Sequence, residues 1–289
     1  MKYIEFKTNA EKHLSEWIRA QGRHPEMPEG DFCHNSKIVH HKHILPLEKY
    51  RKGERKDAII ETIRKYDVLT DGVELNLNVF PKKELHVLAN HLTSSQILCY
   101  NFFGLFLKEE MADTRKVIIA PELRRWVQTS FRQLPPISEY AKCVFEYQFD
   151  DTEGTSFDFC ILDKGVTLLF EIKYTEQGFG KAPNDTRHKD KFSKIYSHML
   201  RAQSTVRKQV QYKDFIKNYQ LFRNAIRTGE NVYSVVIYPQ HNNKCDTEYK
   251  DFIRMWADKP ERLLSITWED AFSNSPLISG SELRQKYNL

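Results

Sequence analysis

Three charged side chains interrupt two apolar segments near the middle of the chain. Asp158 lies in segment 157–162, and Glu171 and Lys173 lie in segment 166–174. Because strand side chains alternate between the two faces, Glu171 and Lys173 point the same way. A tight turn at 163–165 would join the segments as a hairpin and bring Asp158 beside that pair. Two carboxylates and a lysine on one sheet face form a site for a hard cation and an activated water.

An exposed strand face would also carry charges like these, so their neighbours decide between the two interpretations. Aromatic and aliphatic residues such as Phe157, Phe159, Phe170 and Ile172 flank them, and both faces of the hairpin are expected to be largely buried. A buried charge is costly unless it is paired or binds a metal. The sequence therefore favours a functional site over a solvated surface.

The periodicity of the remaining chain predicts the elements that must position this hairpin. Helical spacing covers 9–21, 54–66, 94–107 and a long region at 191–227, with shorter helices expected at 249–257 and 282–287. Strand patterns cover 73–80, 143–149, 157–162, 166–174 and 232–238, and the polar stretch around 124–126 is expected to be a connection. From residue 94 onward the order is helix, three strands, helix and strand. Such a set packs as a mixed sheet with helices on its faces.

This order, with Asp158 followed thirteen residues later by the triplet Glu171-Ile172-Lys173, resembles the PD-(D/E)xK nuclease superfamily over about residues 93–240. One departure is Phe157, where the family motif has proline. The resemblance implies an α/β, restriction-endonuclease-like fold with a mixed central sheet flanked by helices and a mainly helical N-terminal region. We divide the chain accordingly into an accessory or substrate-binding region at 1–92, a nuclease core at 93–242 and a helical extension at 243–289.

The resemblance also implies roles for the charged residues. Asp158 and Glu171 would bind Mg²⁺ together with the backbone carbonyl of Ile172, and Mn²⁺ would be able to substitute. Lys173 would orient or help deprotonate the attacking water and balance charge on the scissile phosphate. Mg²⁺ suits such a site because it takes few carboxylates and keeps waters and phosphate oxygens.

The third polar member of the site is left open by the sequence. Many members of the superfamily supply an acid from the first core helix, where this chain has Gln96. Gln96 would either contact a metal-bound water or belong to a helix cap, and Glu146 is the alternative third acid. In a later helix, Gln220 lies on one face with Arg223 and Asn224, at spacings that suit phosphate contact or an ordinary amphipathic helix.

A histidine-rich segment in the N-terminal region is a second candidate for a functional site. His43-Ile-Leu-Pro resembles the core of His-Asn-His endonucleases, although no Asp precedes it and no clear partner residues follow. Cys33, His34, His40 and His43 would form a zinc cluster only with unusual spacing. A structural or DNA-contacting loop is the favoured interpretation.

Composition sets wide limits on function. The chain has 289 residues, 40% of them hydrophobic, and its net charge of +5 permits nucleic-acid binding without demanding it. Five scattered cysteines indicate neither a disulfide framework nor a cysteine-built zinc ribbon. The sequence shows no apolar run near the ~20 residues of a membrane helix and no signal-peptide pattern. We expect a cytoplasmic protein with no membrane partner.

The sequence thus predicts a metal-dependent nuclease that acts on nucleic acid, with DNA preferred to RNA, as an endonuclease. By analogy with enzymes that cut both strands of a duplex, we expect a homodimer. The alternative is a catalytically inactive nucleic-acid-binding or assembly module that retains the nuclease fold.

Overall fold

A six-stranded mixed sheet forms the centre of the protein, in the order β3-β4-β5-β6-β7-β8. The computed structural model describes residues 3–21, 29–34, 37–108, 110, 114–149 and 154–289, without the side chains of 32–34 and 37–38. Neighbouring strands are antiparallel from β3 to β6 and parallel from β6 to β8. A hairpin, β1 with β2, lies outside this sheet. The strands are β1 Gly30–His34, β2 Lys37–His41, β3 Val117–Ile118, β4 Lys142–Gln148, β5 Ser156–Leu162, β6 Thr167–Ile172, β7 Val232–Tyr238 and β8 Leu263–Thr267.

Helices cover both faces of this sheet. The helices are α1 Tyr3–Ala20, α2 Arg55–Lys65, α3 Ser95–Leu107, α4 Pro121–Ser130, α5 Thr186–Lys191, α6 Ser197–Ala202, α7 Tyr212–Lys217, α8 Tyr219–Ala225, α9 Asn243–Trp256, α10 Trp268–Ser273, α11 Pro276–Ser279 and α12 Glu282–Tyr287. One π-helical turn, Phe192–Tyr196, joins α5 to α6. Among the described residues, no helix is both long enough and apolar enough to cross a membrane.

The two faces of the sheet belong to different apolar clusters. Phe170 and Ile172 of β6 pack in a cluster that includes α3, α4, α10 and the N-terminal helices. On the other face, Val236 and Tyr238 of β7 pack with the residues of α7, α8 and α9. Because strand side chains alternate, Glu171 and Lys173 point to the face opposite Phe170 and Ile172. They are therefore directed to the α8 side of the sheet.

Helix α3 is apolar nearly all round, which is typical of a helix enclosed by other elements. All of its residues from 96 to 107 are buried. Phe103 stacks on Phe159 of β5, with ring centroids 3.8 Å apart and planes 12° from parallel. It also meets Phe170 of β6 at 5.1 Å. This aromatic packing fixes α3 relative to the central strands.

The N- and C-terminal segments share the larger cluster, which runs from Phe6 to Tyr287. The Asp71 carboxylate accepts hydrogen bonds from the backbone N–H groups of Glu282 and Leu283, both at 3.0 Å, at the start of α12. An anion at a helix N-terminus is favourable for the exposed N–H groups and the helix dipole. The division of the chain at residues 92 and 242 stays a prediction.

The fold class is as predicted: a mixed α/β sheet flanked by helices, consistent with a restriction-endonuclease-like fold. Strands β4 to β7 and helices α1, α2, α3, α9 and α12 overlap the predicted segments, although α1 and α9 begin earlier, at Tyr3 and Asn243 instead of residues 9 and 249. The N-terminal region is helical at α1 and α2 and adds the unpredicted hairpin β1–β2.

Other local predictions are wrong. Segment 73–80 is not a strand, because the Asn76 side chain accepts the backbone N–H of Asn78 at 2.9 Å and holds a turn. The connection at 124–126 is part of α4, and β3 and β8 were not predicted. The long helical region expected at 191–227 consists of several short helices separated by turns.

We expect Phe103→Ala to lower the free energy of unfolding by about 3–5 kcal/mol, because it leaves a cavity where the ring stacks on Phe159. Urea denaturation followed by circular dichroism measures this change. Tyr140→Ala is the control, since its ring is 75% exposed and its loss should cost no more than about 0.5 kcal/mol. Equal unfolding midpoints for the two variants would contradict the packing role of Phe103.

Candidate active site

Three acidic residues lie at one level of the sheet, on neighbouring strands. In the antiparallel pair β4–β5, Phe145 faces Phe159 and Tyr147 faces Phe157, so Glu146 falls opposite Asp158. In β5–β6, Phe159 faces Phe170, and one further step places Asp158 opposite Glu171. Residues opposite each other in antiparallel strands have Cβ atoms about 4.5–5.5 Å apart. Strand register therefore gathers carboxylates that are far apart in sequence.

Glu171 is held by three side-chain donors. Its Oε1 accepts hydrogen bonds from Lys173 Nζ at 2.9 Å and from Gln220 Nε2 at 2.6 Å. Its Oε2 accepts from Asn224 Nδ2 at 3.2 Å. Gln220 and Asn224 are four residues apart on α8, so both side chains reach the same face. The carboxylate is only 5% exposed, and these contacts compensate its loss of water.

Lys173 is fixed through its backbone as well as its side chain. Its N–H donates to the Ile237 carbonyl at 2.8 Å, and its carbonyl accepts the Trp268 indole N–H at 2.8 Å. Burial disfavours the ammonium, but the nearby carboxylates of Glu171, Glu176 and Asp158 outweigh burial, so the pKa of Lys173 is raised. Lys173 is a fixed cation in the absence of metal.

Asp158 bridges the two central strands. Its Oδ2 accepts the backbone N–H of Ile172 at 2.6 Å, directly beside Glu171. Burial, followed by repulsion from Glu171 and Glu146, raises the pKa of the Asp158 carboxyl well above its ordinary value. A divalent cation would relieve this repulsion, so the donor set fits a hard metal ion.

Glu146 enters the site through an unusual backbone conformation. Its φ of +48° lies in the left-handed region, which is rare for a non-glycine residue and costs about 1–3 kcal/mol. Its carbonyl accepts Nη2 of Arg115 at 2.9 Å. The pKa of Glu146 is raised to about 7, mainly by burial; the hydrogen bond from Gln96 opposes the rise, the charges of Glu84 and Glu171 add to it, and the charge of Arg115 opposes it.

Gln96 contacts Glu146 rather than capping the helix. Ser94 is the N-cap of α3, with its hydroxyl accepting the N–H of Ile97 at 3.4 Å. The Gln96 Nε2 donates to Glu146 Oε1 at 2.7 Å and to the Glu84 carbonyl at 3.0 Å. The structure thus brings together the two residues that the sequence offered as alternatives.

Not every polar residue of α8 reaches the acids. Arg223 turns away, and its guanidinium donates to Thr155 Oγ1 at 2.8 Å and to the Gly154 carbonyl at 3.0 Å. Trp268 and Arg115 support the site but were missed. Nothing in the sequence marks them, because each acts through a distant backbone carbonyl.

A cavity of about 930 Å³ opens beside the acids. Its lining includes Glu146, Asp158 and Gln96 at one part and His41, His43 and His91 at another. Glu171 and Lys173 do not line it; they are only 5% and 8% exposed, and Glu171 is in contact with α8. Asp158 is therefore the member of the predicted motif that a molecule in the cavity meets first.

Within the described part of the chain, no three His, Cys, Asp or Glu side chains are grouped so as to hold a metal ion. The Asp158 and Glu171 pair does not reach that number. The zinc cluster considered for the histidine-rich segment includes the side chains of Cys33 and His34, which lie outside the described residues. His40 pairs with Asp31 at 2.5 Å and is exposed.

A mixed sheet with these acids on its central strands, enclosed by helices, is the architecture of a restriction-endonuclease-like protein. A family model described as "restriction endonuclease associating with ARP" matches residues 19–287, and the chain belongs to this family. The match covers most of the chain and indicates a nuclease-like protein. No curated protein and no solved structure matches it.

We expect Glu146→Gln to stabilise the metal-free protein at about pH 8, by about 1–3 kcal/mol. The pKa of Glu146 is raised in the folded state, so the fold loses stability as pH rises from about 4.5 to about 7. Glutamine lacks this loss and its carbonyl can still accept the Gln96 hydrogen bond. Urea denaturation in EDTA at about pH 5 and about pH 8 measures the effect.

The difference between Glu146→Gln and the wild type should shrink toward the lower pH, where Glu146 is protonated. Glu139→Gln, at an exposed carboxylate, controls for the loss of one negative charge. An equal stability difference at both pH values would contradict a raised pKa of Glu146 in the folded protein.

Proposed function

We propose that this chain is a metal-dependent nuclease of the PD-(D/E)xK type that hydrolyses phosphodiester bonds. It acts as an endonuclease, and DNA is its substrate. The observation that carries the proposal is the placement of Asp158 opposite Glu171, with Lys173 Nζ 2.9 Å from the Glu171 carboxylate. Membership of a restriction-endonuclease family over residues 19–287 supports the same reaction class.

Asp158, Glu171 and the backbone carbonyl of Ile172 would hold Mg²⁺, with Mn²⁺ as a substitute. When bound, such an ion lowers the pKa of a coordinated water and stabilises the charge that develops on phosphorus. The raised pKa of Asp158 supports this role, because it arises from burial and from carboxylates that a cation would neutralise. Ile172 is next to both acids, because it follows Glu171 in the chain and its backbone N–H donates to Asp158.

Lys173 orients the attacking water and balances the charge of the scissile phosphate. Its raised pKa favours these roles over that of a general base, since it remains protonated beside the carboxylates. Burial limits its motion, and the Trp268 contact to its carbonyl fixes the start of its side chain.

Glu146 is the third acid of this proposal, and Gln96 is its positioning residue. With a pKa of about 7, Glu146 exchanges its proton near neutral pH and can take up or release one at the cavity wall. Gln220 and Asn224 act in the same way on Glu171, which they hold by hydrogen bonds from α8.

The partner assignments belong to the same proposal. Exposed basic residues on the α5–α7 side, such as Lys189, Lys194 and Lys213, would follow a phosphate backbone. A homodimer would supply the two sites that duplex cleavage requires. The family description names an association with ARP, and we extend that association to this chain as a proposal. An inactive binding module is disfavoured by the intact Asp158, Glu171 and Lys173.

We expect Lys173→Ala and Glu171→Ala each to reduce phosphodiester cleavage by roughly 10²–10⁴-fold. The purified protein is incubated with plasmid, single-stranded DNA and RNA in Mg²⁺, in Mn²⁺ or in EDTA, and products are separated on gels. Lys164→Ala is the matched control, because Lys164 is an exposed lysine of the same hairpin. Cleavage should require the metal and should be unchanged in the control.

Metal-dependent cleavage that persists in both site variants would refute the residue assignment. The absence of cleavage of every substrate, together with nucleic-acid binding, would favour the inactive module.

We expect Asn224→Leu to raise the Mg²⁺ concentration for half-maximal cleavage about tenfold, because it removes one of the donors that orient Glu171. Leucine has the branched shape and the number of heavy atoms of asparagine but cannot donate a hydrogen bond. A Mg²⁺ titration of cleavage measures the shift, and thermal unfolding in EDTA checks the fold. A variant that melts at the wild-type temperature and has the wild-type Mg²⁺ curve would exclude a positioning role.

A further inference from the structure

The cavity that reaches Asp158 also extends to a group of imidazole rings, and the proposed reaction gives these rings no role. His41 and His43 have ring centroids 5.2 Å apart, and His43 and His91 are 6.0 Å apart. All three line the cavity. The described residues hold no group of three such side chains placed to bind a metal ion.

Two of these rings are uncharged at neutral pH. Burial, followed by neighbouring cationic groups, lowers the pKa of His43 and of His91 to about 4. A neutral imidazole offers a flat face for stacking, together with one ring nitrogen that donates and one that accepts a hydrogen bond. Glu11, whose Oε1 lies 3.6 Å from His43 Nε2, adds a hydrogen-bond acceptor. This combination suits the face and edge of a nucleobase.

The size of the cavity limits what can enter it. Its volume of about 930 Å³ falls within the usual range for small-molecule pockets, roughly 300–1,000 Å³. A pocket of this size can take one unstacked nucleotide.

Charged side chains of both signs also line this cavity. The cavity has Lys7 and Lys83 in its lining, and the Lys83 side chain is 80% exposed. Such a lysine can meet the phosphates of flanking nucleotides without entering the cavity. The acids Asp158 and Glu146 lie in another part of the lining, where the proposed metal would meet a phosphate.

We propose that this cavity binds one unstacked nucleotide of a single-stranded nucleic acid, with its base against His41, His43 and His91 and its phosphate at Asp158. This inference rests on the proposed nuclease function and adds a substrate class to it. The chain would prefer single-stranded or unpaired substrate to intact duplex, because unstacking and unpairing a base in a duplex costs a few kcal/mol before it can enter.

The test measures binding in EDTA, where the proposed reaction cannot proceed. Fluorescein-labelled single-stranded DNA, single-stranded RNA and duplex DNA of one sequence are titrated with the full chain, and anisotropy is recorded. We expect a single strand to bind more tightly than the duplex. His41→Ala and His91→Ala should each weaken single-strand binding about tenfold, as expected for the loss of a stacking partner.

Two further variants sharpen the test. His40→Ala is the matched control, since His40 adjoins His41 in β2 but is exposed, pairs with Asp31 and does not line the cavity. His43→Phe keeps a flat ring and should retain single-strand affinity within about twofold, whereas His43→Ala should lose about tenfold. Thermal unfolding of each variant separates lost affinity from lost fold.

Each outcome separates the pocket from the reaction. Equal single-strand affinity for His41→Ala, His91→Ala and His40→Ala, with cleavage intact in the wild type, would overturn the pocket and leave the nuclease proposal standing. Tighter binding of duplex than of either single strand would do the same. Failure to bind or cut any nucleic acid would overturn both proposals. Loss of affinity in the cavity variants alone, with DNA or with RNA, supports the pocket.

Discussion

The burial of one carboxylate, that of Glu171, constrains much of the fold. Removing a carboxylate from water costs several kcal/mol unless its oxygens find donors. Lys173 directly follows the strand that carries Glu171, whereas Gln220 and Asn224 are supplied by α8. Helix α8 follows a segment that is divided into short helices and turns.

The neighbouring acids have the opposite energetic character. Asp158 and Glu146 face each other and Glu171 across the strands, and burial raises the pKa of both. Glu146 also holds a left-handed backbone within a strand. The aromatic packing of α3 on β5 and β6 maintains this arrangement. Strain and repulsion that a well-packed scaffold tolerates are typical of functional sites, and a cation would remove the repulsion.

The sequence was informative where periodicity alone decides the geometry. The two-residue alternation and the turn after β5 predict that Asp158 approaches Glu171, and helical spacing predicts that Gln220 and Asn224 share a face. It was silent on the Gln96–Glu146 contact, because that contact depends on the register of β4 and on one positive φ. It failed at 73–80, where alternating apolar residues mimic a strand but the Asn76 side chain holds a turn.

The side-chain amide of Gln96 links Glu146 to the part of the cavity that the histidines line. Gln96 binds Glu146 through Nε2 and accepts the backbone N–H of His86 at 2.7 Å through Oε1. The chain then continues to Leu92, whose N–H donates to the His43 carbonyl at 2.9 Å. Hydrogen bonds at both ends of segment 86–92 thus connect the cavity histidines to the acids through the start of α3. Because the core packing of α3 fixes this helix on the sheet, it also determines how far the histidines stand from Asp158.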